Sequence, residues 1–293
     1  MYELVQISEH DYYIDSPTKI GLVKLNDTEV VAIDSGNDKD AGKKVLKHVE
    51  ANGWKLVAVY NTHSHADHIG GNRLLQDRTG CRVFAYGMEA EYTSMTVLEP
   101  RMLYGGNILQ ELENKFLMAQ PSNAEHLTAE LLPKGWEIIE LPGHSFDMVG
   151  FRTPDNNVFL GDSVLAETTL NKYGIGYLWD PEATINTLRA IKTLEANMFI
   201  PSHAEALSDI SHLADLNIEA VEKVCDRIID LCREKITYEE LLRQVFESYG
   251  LQMNLQQYVL IGSTLKSYLA YLHRSAKVDF TFEDGLMLWQ NAT

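Results

Sequence analysis

Thr62-His63-Ser64-His65-Ala66-Asp67-His68-Ile69-Gly70-Gly71 follows directly on the apolar run 56–60, which reads as a buried strand. Three histidines and a carboxylate therefore crowd within six residues at a strand end. Imidazole and carboxylate together suit zinc and its neighbours among the borderline metals. In an extended segment residues two apart point the same way, so His63 and His65 are expected to face one side. Asp67 and His68 fall where the chain turns into the next helix and aim at a second point nearby. That spacing predicts two metals, and an isolated polar loop with unrelated histidines does not account for it.

Three later segments repeat one pattern, a short hydrophobic strand closed by a metal-competent side chain. The run 136–141 ends in Pro142-Gly143-His144-Ser145, the run 158–160 in Gly161-Asp162-Ser163, and the run 198–200 in Pro201-Ser202-His203. Rigid strand ends can bring donors together from distant positions.

On these residues the chain resembles the metallo-β-lactamase superfamily, in the binuclear hydrolase branch with glyoxalase II-like thioesterases and lactonases. The family pattern His-x-His-x-Asp-His, then His, Asp and His, is matched at His63, His65, Asp67, His68, His144, Asp162 and His203. The resemblance covers roughly residues 1–205. It implies an α+β fold, the four-layer αβ/βα sandwich, with one metal on His63, His65 and His144 and another on Asp67, His68 and His203. Asp162 would bridge the two. The implied function is a metal-dependent hydrolase that uses a metal-bridging hydroxide to cleave a small thioester, ester or lactone. Asp67 would ligate and orient the nucleophile, and Asp162 would set the metal spacing. Two divalent ions are expected, zinc first, with iron or manganese as alternatives according to supply. The superfamily's true β-lactamases carry Cys where this chain has Asp162, so antibiotic hydrolysis is not expected. Glutathione-using relatives place basic residues soon after the final His, whereas Ala-Glu-Ala-Leu-Ser-Asp-Ile-Ser follows His203 here.

At 293 residues and 45% hydrophobic content the chain can bury a large core and carry an appendage. We expect a catalytic domain over 1–210 and a C-terminal helical module over 211–293. In the module, Ile218, Val221, Cys225, Ile228 and Cys232 recur at helical spacing. Thr237-x-x-Glu240 reads as a capping box and Asn254 as the cap of a further helix. Val278, Phe280 and Phe282 alternate like a strand before Asp284-Gly285. Three helices and a hairpin resemble a winged helix, a module that often binds DNA. Yet residues 211–293 hold eight Lys or Arg against twelve Asp or Glu, and the would-be recognition helix carries only Lys266 before its end. With a net charge of −17 and no basic cluster, nucleic acid is not expected as a partner.

Other readings of the same ligand pattern are a phosphodiesterase or nuclease, a mononuclear iron oxygenase, and a metal-dependent regulator acting through the C-terminal module. The acidic charge counts against the first and the full seven-residue set against the second. Residues 87–135 interrupt the strand pattern and read either as a lid, with Arg101 and Tyr104 contacting substrate, or as a helical cover or homodimer contact. Tyr173 and Tyr177, in a glycine- and aromatic-rich stretch after Asp162, are candidate hydrogen-bond donors to substrate. Asp34 reads as a turn residue supporting the ligands. The absence of a membrane-length apolar run, of a signal-peptide layout and of paired cysteines (Cys81, Cys225 and Cys232) leads us to expect a cytoplasmic protein acting on a small molecule.

Overall fold

The computed structural model describes residues 2–292. The chain opens with antiparallel strands β1 (Glu3–Gln6), β2 (Asp11–Asp15), β3 (Ile20–Lys24) and β4 (Glu29–Ile33). Helix α1 (Lys39–Ala51) starts at Asp38, whose carboxylate accepts from the Asp40 and Ala41 amides, and it buries Ala41, Val45 and Val49 on one stripe. It crosses to β5 (Lys55–Tyr60), parallel to β4. Helices α2 (Ala66–Ile69) and α3 (Asn72–Thr79) lead to β6 (Arg82–Ala85). Helices α4 (Glu89–Ser94) and α5 (Leu98–Tyr104) then precede β7 (Ala124–His126). All seven strands form one sheet in chain order, with β5, β6 and β7 parallel. The sequence pattern did not predict β1, β6 or β7.

Strands β8 (Glu137–Glu140), β9 (Val149–Arg152) and β10 (Asn157–Leu165) begin a second sheet. After α6 (Glu167–Tyr173) and α7 (Pro181–Ile191), β11 (Met198–His203) completes it in the order β11-β10-β9-β8. Apolar residues of both inner faces meet in one core, among them Ile33, Ala58, Phe84, Phe151 and Phe159. The outer face of the first sheet buries Val30, Leu56 and Val59 against Val45 and Leu75 of α1 and α3. The outer face of the second buries Val158 and Leu160 against Leu188 of α7 and the following helix. Helix, sheet, sheet, helix is the expected four-layer sandwich.

The C-terminal part contains α8 (Ser211–Leu231), β12 (Ile236–Thr237), α9 (Tyr238–Ser248), α10 (Leu255–Arg274) and the hairpin β13 (Val278–Glu283) and β14 (Leu286–Asn291). Thr237 Oγ1 accepts from the Glu240 amide and Asn254 Oδ1 from the Gln257 amide, so both expected caps form. Its core is not closed on itself: Ile175, Leu178 and Ile185, from the stretch around α6 and α7, pack into it. Helix α10 contacts α5, α7, α8 and α9 and buries Val259, Leu265, Tyr268 and Leu272. A helix covered in this way has little surface to lay in a DNA groove.

Candidate metal centre

The site forms where the ends of β5 and β11, the interior of β10 and the loop between β8 and β9 meet. Gly70 and Gly71 allow α2 and α3 to sit hard against the preceding loop. A Cβ at Gly70 would lie 2.3 Å from the Asn37 carbonyl carbon, and one at Gly71 would lie 2.4 Å from the Ser35 oxygen. That approach carries Asp67 and His68, both on α2, under the strand ends. His203 is the last residue of β11. Asp162 differs from expectation. It is not the cap of a strand that stops at residue 160 but lies inside β10, which runs on to Leu165. The register with β11 shifts at Gly161, whose φ of +55° allows the bulge.

All seven predicted donors converge. His63 Nε2 lies 3.0 Å from His65 Nδ1, and His144 Nε2 lies 2.9 Å from the same atom. His203 Nε2 is 3.2 Å and His68 Nε2 3.7 Å from Asp67 Oδ2. Asp162 faces both groups: Oδ1 is 3.1 Å from His68 Nε2, and Oδ2 is 3.3 Å from His203 Nε2 and 3.4 Å from His144 Nε2. Donors about 2.05 Å from a tetrahedral ion stand roughly 3.3 Å apart, so these separations suit zinc-sized cations. His68 Nε2 and Asp162 Oδ1 are buried, and neither makes a hydrogen bond of acceptable geometry. Buried polar atoms of this kind require a partner, and between an imidazole and a carboxylate a cation supplies it.

Carboxylates behind the donors fix which ring nitrogen points inward. Asp34 is buried at φ +61°. It accepts from His68 Nδ1 at 2.8 Å and from the amide and hydroxyl of Thr62, each at 2.8 Å. Because the Thr62 hydroxyl proton goes to Asp34, Thr62 Oγ1 accepts from His63 Nδ1 at 3.0 Å. One carboxylate thus sets the tautomers of two histidines and leaves both Nε2 lone pairs free, as metal-binding imidazoles require. Pro17 carbonyl does the same for His203, accepting from Nδ1 at 2.9 Å. Glu89, at the start of α4, is fully buried and accepts from the Ser64 amide and hydroxyl, the Ser145 hydroxyl and the Asp147 amide. Ser64 separates His63 from His65, and Ser145 follows His144, so Glu89 ties the two ligand loops together. No spacing in the sequence links residue 89 to either loop.

Protonation divides the donors into two sets. Burial, reinforced by neighbouring histidines, lowers His63 far below the usual imidazole range, His65 to about 4 and His144 to about 3. These three are neutral donors near neutrality. Asp162 pushes His203 up to about 10, and against the cost of burial Asp162 and Asp67 raise His68. Burial opposes ionisation of Asp67 and Asp162, yet the facing histidines hold both carboxyls well below the usual range. The Thr18 hydroxyl also donates to Asp67 Oδ2 at 2.9 Å.

Of the four candidate substrate residues, Tyr177 stands at the centre, its ring edge-on to His65 at 5.3 Å and to His144 at 5.7 Å. Tyr173 lies on the wall of a neighbouring cavity. Arg101 and Tyr104 are exposed on α5, and neither lines that cavity. Glu99, from the same helix, is buried with Oε1 3.6 Å from His65 Nε2, too far for a hydrogen bond. Burial, with Glu89 nearby, raises its carboxyl to about 8.

The family model of the metallo-β-lactamase superfamily matches residues 14–203, which contain every one of the seven donors. Among curated proteins, a hydroxyacylglutathione hydrolase of Erythrobacter litoralis is 27% identical over 169 residues, 57% of this chain and 54% of that protein. Another of that name, from Cereibacter sphaeroides, is 30% identical over 176 residues, 59% of this chain and 58% of that protein. The matched region thus spans little more than half the length of these relatives. A β-lactamase domain protein from Burkholderia ambifaria shares the fold with a TM-score of 0.73 at 15% identity, over 99% of this chain and 94% of that one. The match across residues 14–203 shows that the chain belongs to the metallo-β-lactamase superfamily.

Proposed function

We propose that the chain is a metal-dependent hydrolase acting on a small thioester, ester or lactone. The observation that carries this reading is Asp162, whose two oxygens face two separate donor groups. In this reading His63, His65 and His144 hold one divalent cation, Asp67, His68 and His203 hold the other, and Asp162 serves both. When bound, such a pair supplies a water whose pKa is lowered to about 7 and a Lewis acid for the acyl oxygen. The chain's own residues do the rest. Asp162 sets the spacing of the two groups, and Thr18 steadies the Asp67 carboxylate. Asp34 and Glu89 keep the rings aimed, and the Tyr177 ring walls His65 and His144 off on one side.

The names of the curated relatives favour a thioester. The acidic stretch after His203 offers no cation to glutathione carboxylates, so a different acyl carrier is the preferred partner. A phosphodiester is disfavoured by a net charge of −17. Residues 211–293 enter this reading as a module that closes the substrate site. Elemental analysis, with a panel of thioester, lactone and bis-aryl phosphate substrates on metal-loaded protein, tests the proposal. The expected result is two cations per chain and turnover of acyl substrates. One iron per chain with no hydrolysis sinks it.

A further inference from the structure

A cavity of about 240 Å³ begins at His144 and Asp162 and runs away from the metal centre between the sandwich and the C-terminal helices. Its walls come from α6 and the loop after it, from α7, and from α8 and α10. Leu165, Leu170, Ile175, Val221, Val224 and Ile261 provide much of the surface. Several polar side chains on the wall are already committed. Asn217 accepts from the Leu165 amide and donates to the Leu165 and Leu213 carbonyls, the Ser163 hydroxyl donates to Leu160, and the Thr184 hydroxyl donates to Asp180. Among the described residues no Lys, Arg or Glu lines it, its one carboxylate, Asp162, stands with His144 at the metal end, and its other polar groups are the uncharged side chains of Thr169, Gln257 and three tyrosines.

Such a space receives an uncharged apolar group whose reactive end stops at His144 and Asp162. A dry cavity of about 150 Å³ already holds a benzene molecule, so this one has room for more than a single ring. A charged thiol carrier would find no counter-charge inside and would lose its hydration. The acyl arm is therefore the part of a thioester that enters. We propose that this cavity is an acyl-chain subsite, which makes the substrate class a straight-chain aliphatic thioester or ester. The inference rests on the hydrolase reading above and goes further by naming what the enzyme selects. Eight of the 22 residues lining the subsite belong to α8 and α10, which gives the C-terminal module a role in specificity.

The test is a series of N-acetylcysteamine thioesters from acetyl to decanoyl, assayed on the metal-loaded full chain. Each methylene taken into the cavity should raise kcat/KM about fourfold until the space is full. Ala220→Phe, on the partly exposed side of α8 facing the cavity, should shift the optimum to shorter chains and cut the octanoyl-to-acetyl ratio by at least tenfold. A loss of fold or metal lowers every substrate together and leaves that ratio unchanged. Calorimetric titration with 1-octanol gives a readout independent of turnover, and binding should weaken in A220F. Turnover without chain-length preference, or a ratio untouched in an A220F protein that keeps its wild-type metal content and acetyl turnover, overturns the subsite and leaves the hydrolase reading standing. Octanol binding that A220F abolishes, with no turnover of any thioester, ester or lactone, supports the cavity and sinks the hydrolase reading. Neither binding nor turnover removes both.

Discussion

Asp34 does more for the metal centre than any residue outside the donor set, because His63 and His68 both take their orientation from it. Asp34→Ala removes the acceptor of His68 Nδ1 and of the Thr62 hydroxyl that in turn orients His63, and strains a left-handed backbone position that Asp tolerates well. Metal affinity should fall about 10–100-fold, read by dialysis against graded chelator. Asp34→Asn keeps the backbone conformation and an acceptor and should lose less. Equal losses in the two variants would mean that the hydrogen bonds from His68 and Thr62 to Asp34 are not what matters. Protonation also acts at this scale. In metal-free protein His63, His65 and His144 are depressed, so the folded state binds fewer protons than the unfolded one below about pH 6.5. Stability then drops as pH falls through that range. His203 and His68 are raised, so their contribution is complete below about pH 6.5 and is lost as pH rises towards 10. Glu99, raised to about 8, gains as pH falls, but it is one group against three imidazoles. The urea midpoint of chelator-treated protein should therefore peak near about pH 6.5 and decline on both sides. A midpoint still rising from about pH 6 to about pH 5 would contradict this.

At the scale of elements, the loop that carries His144 is pinned to the start of α7. The Trp179 and Asp180 amides donate to Gly143 carbonyl at 2.8 and 2.9 Å. Gly143 has φ +129°, and a Cβ there would come within 2.4 Å of the Thr184 amide nitrogen. Gly143→Ala must move either the ligand loop or the helix. We expect it to cost about 1–3 kcal/mol in urea denaturation and to reduce metal content. A variant with unchanged stability and full metal would show that the loop adapts freely. Most elements were legible in the sequence. β5 is a continuous apolar run, and α9 and α10 have caps three residues before the amides they bind. β7 was not legible, since Ala124-Glu125-His126 is short and polar and exists because the edge of β6 lies beside it. The length of β10 was hidden as well, because Gly161 and Asp162 read as a turn and only the pairing with β11 makes them strand.

Across the whole molecule, the sandwich and the C-terminal helices share a core through Ile175, Leu178 and Ile185. The two parts should therefore unfold together. Leu265→Ala, at a fully buried position on α10, should cost about 2–5 kcal/mol and lower the midpoint of one cooperative transition. Two transitions by calorimetry, with only the second shifted, would show that the parts fold separately. The acidity of the chain operates at this scale too, disfavouring polyanions at long range whatever the site chemistry.

The amino-acid sequence by itself determined the seven candidate donors and the strand-then-ligand pattern, because periodicity and short-range spacing are written along the chain, and the four-layer sandwich followed from the family resemblance that this pattern carries. Only the tertiary structure decided which rings Asp34 orients, that Glu89 ties the two ligand loops together, that Arg101 and Tyr104 stand exposed, and that an apolar cavity runs from Asp162 between the sandwich and the C-terminal helices. Those facts depend on which distant elements pack together, and a buried carboxylate or an apolar wall carries no local mark of the partner it will meet.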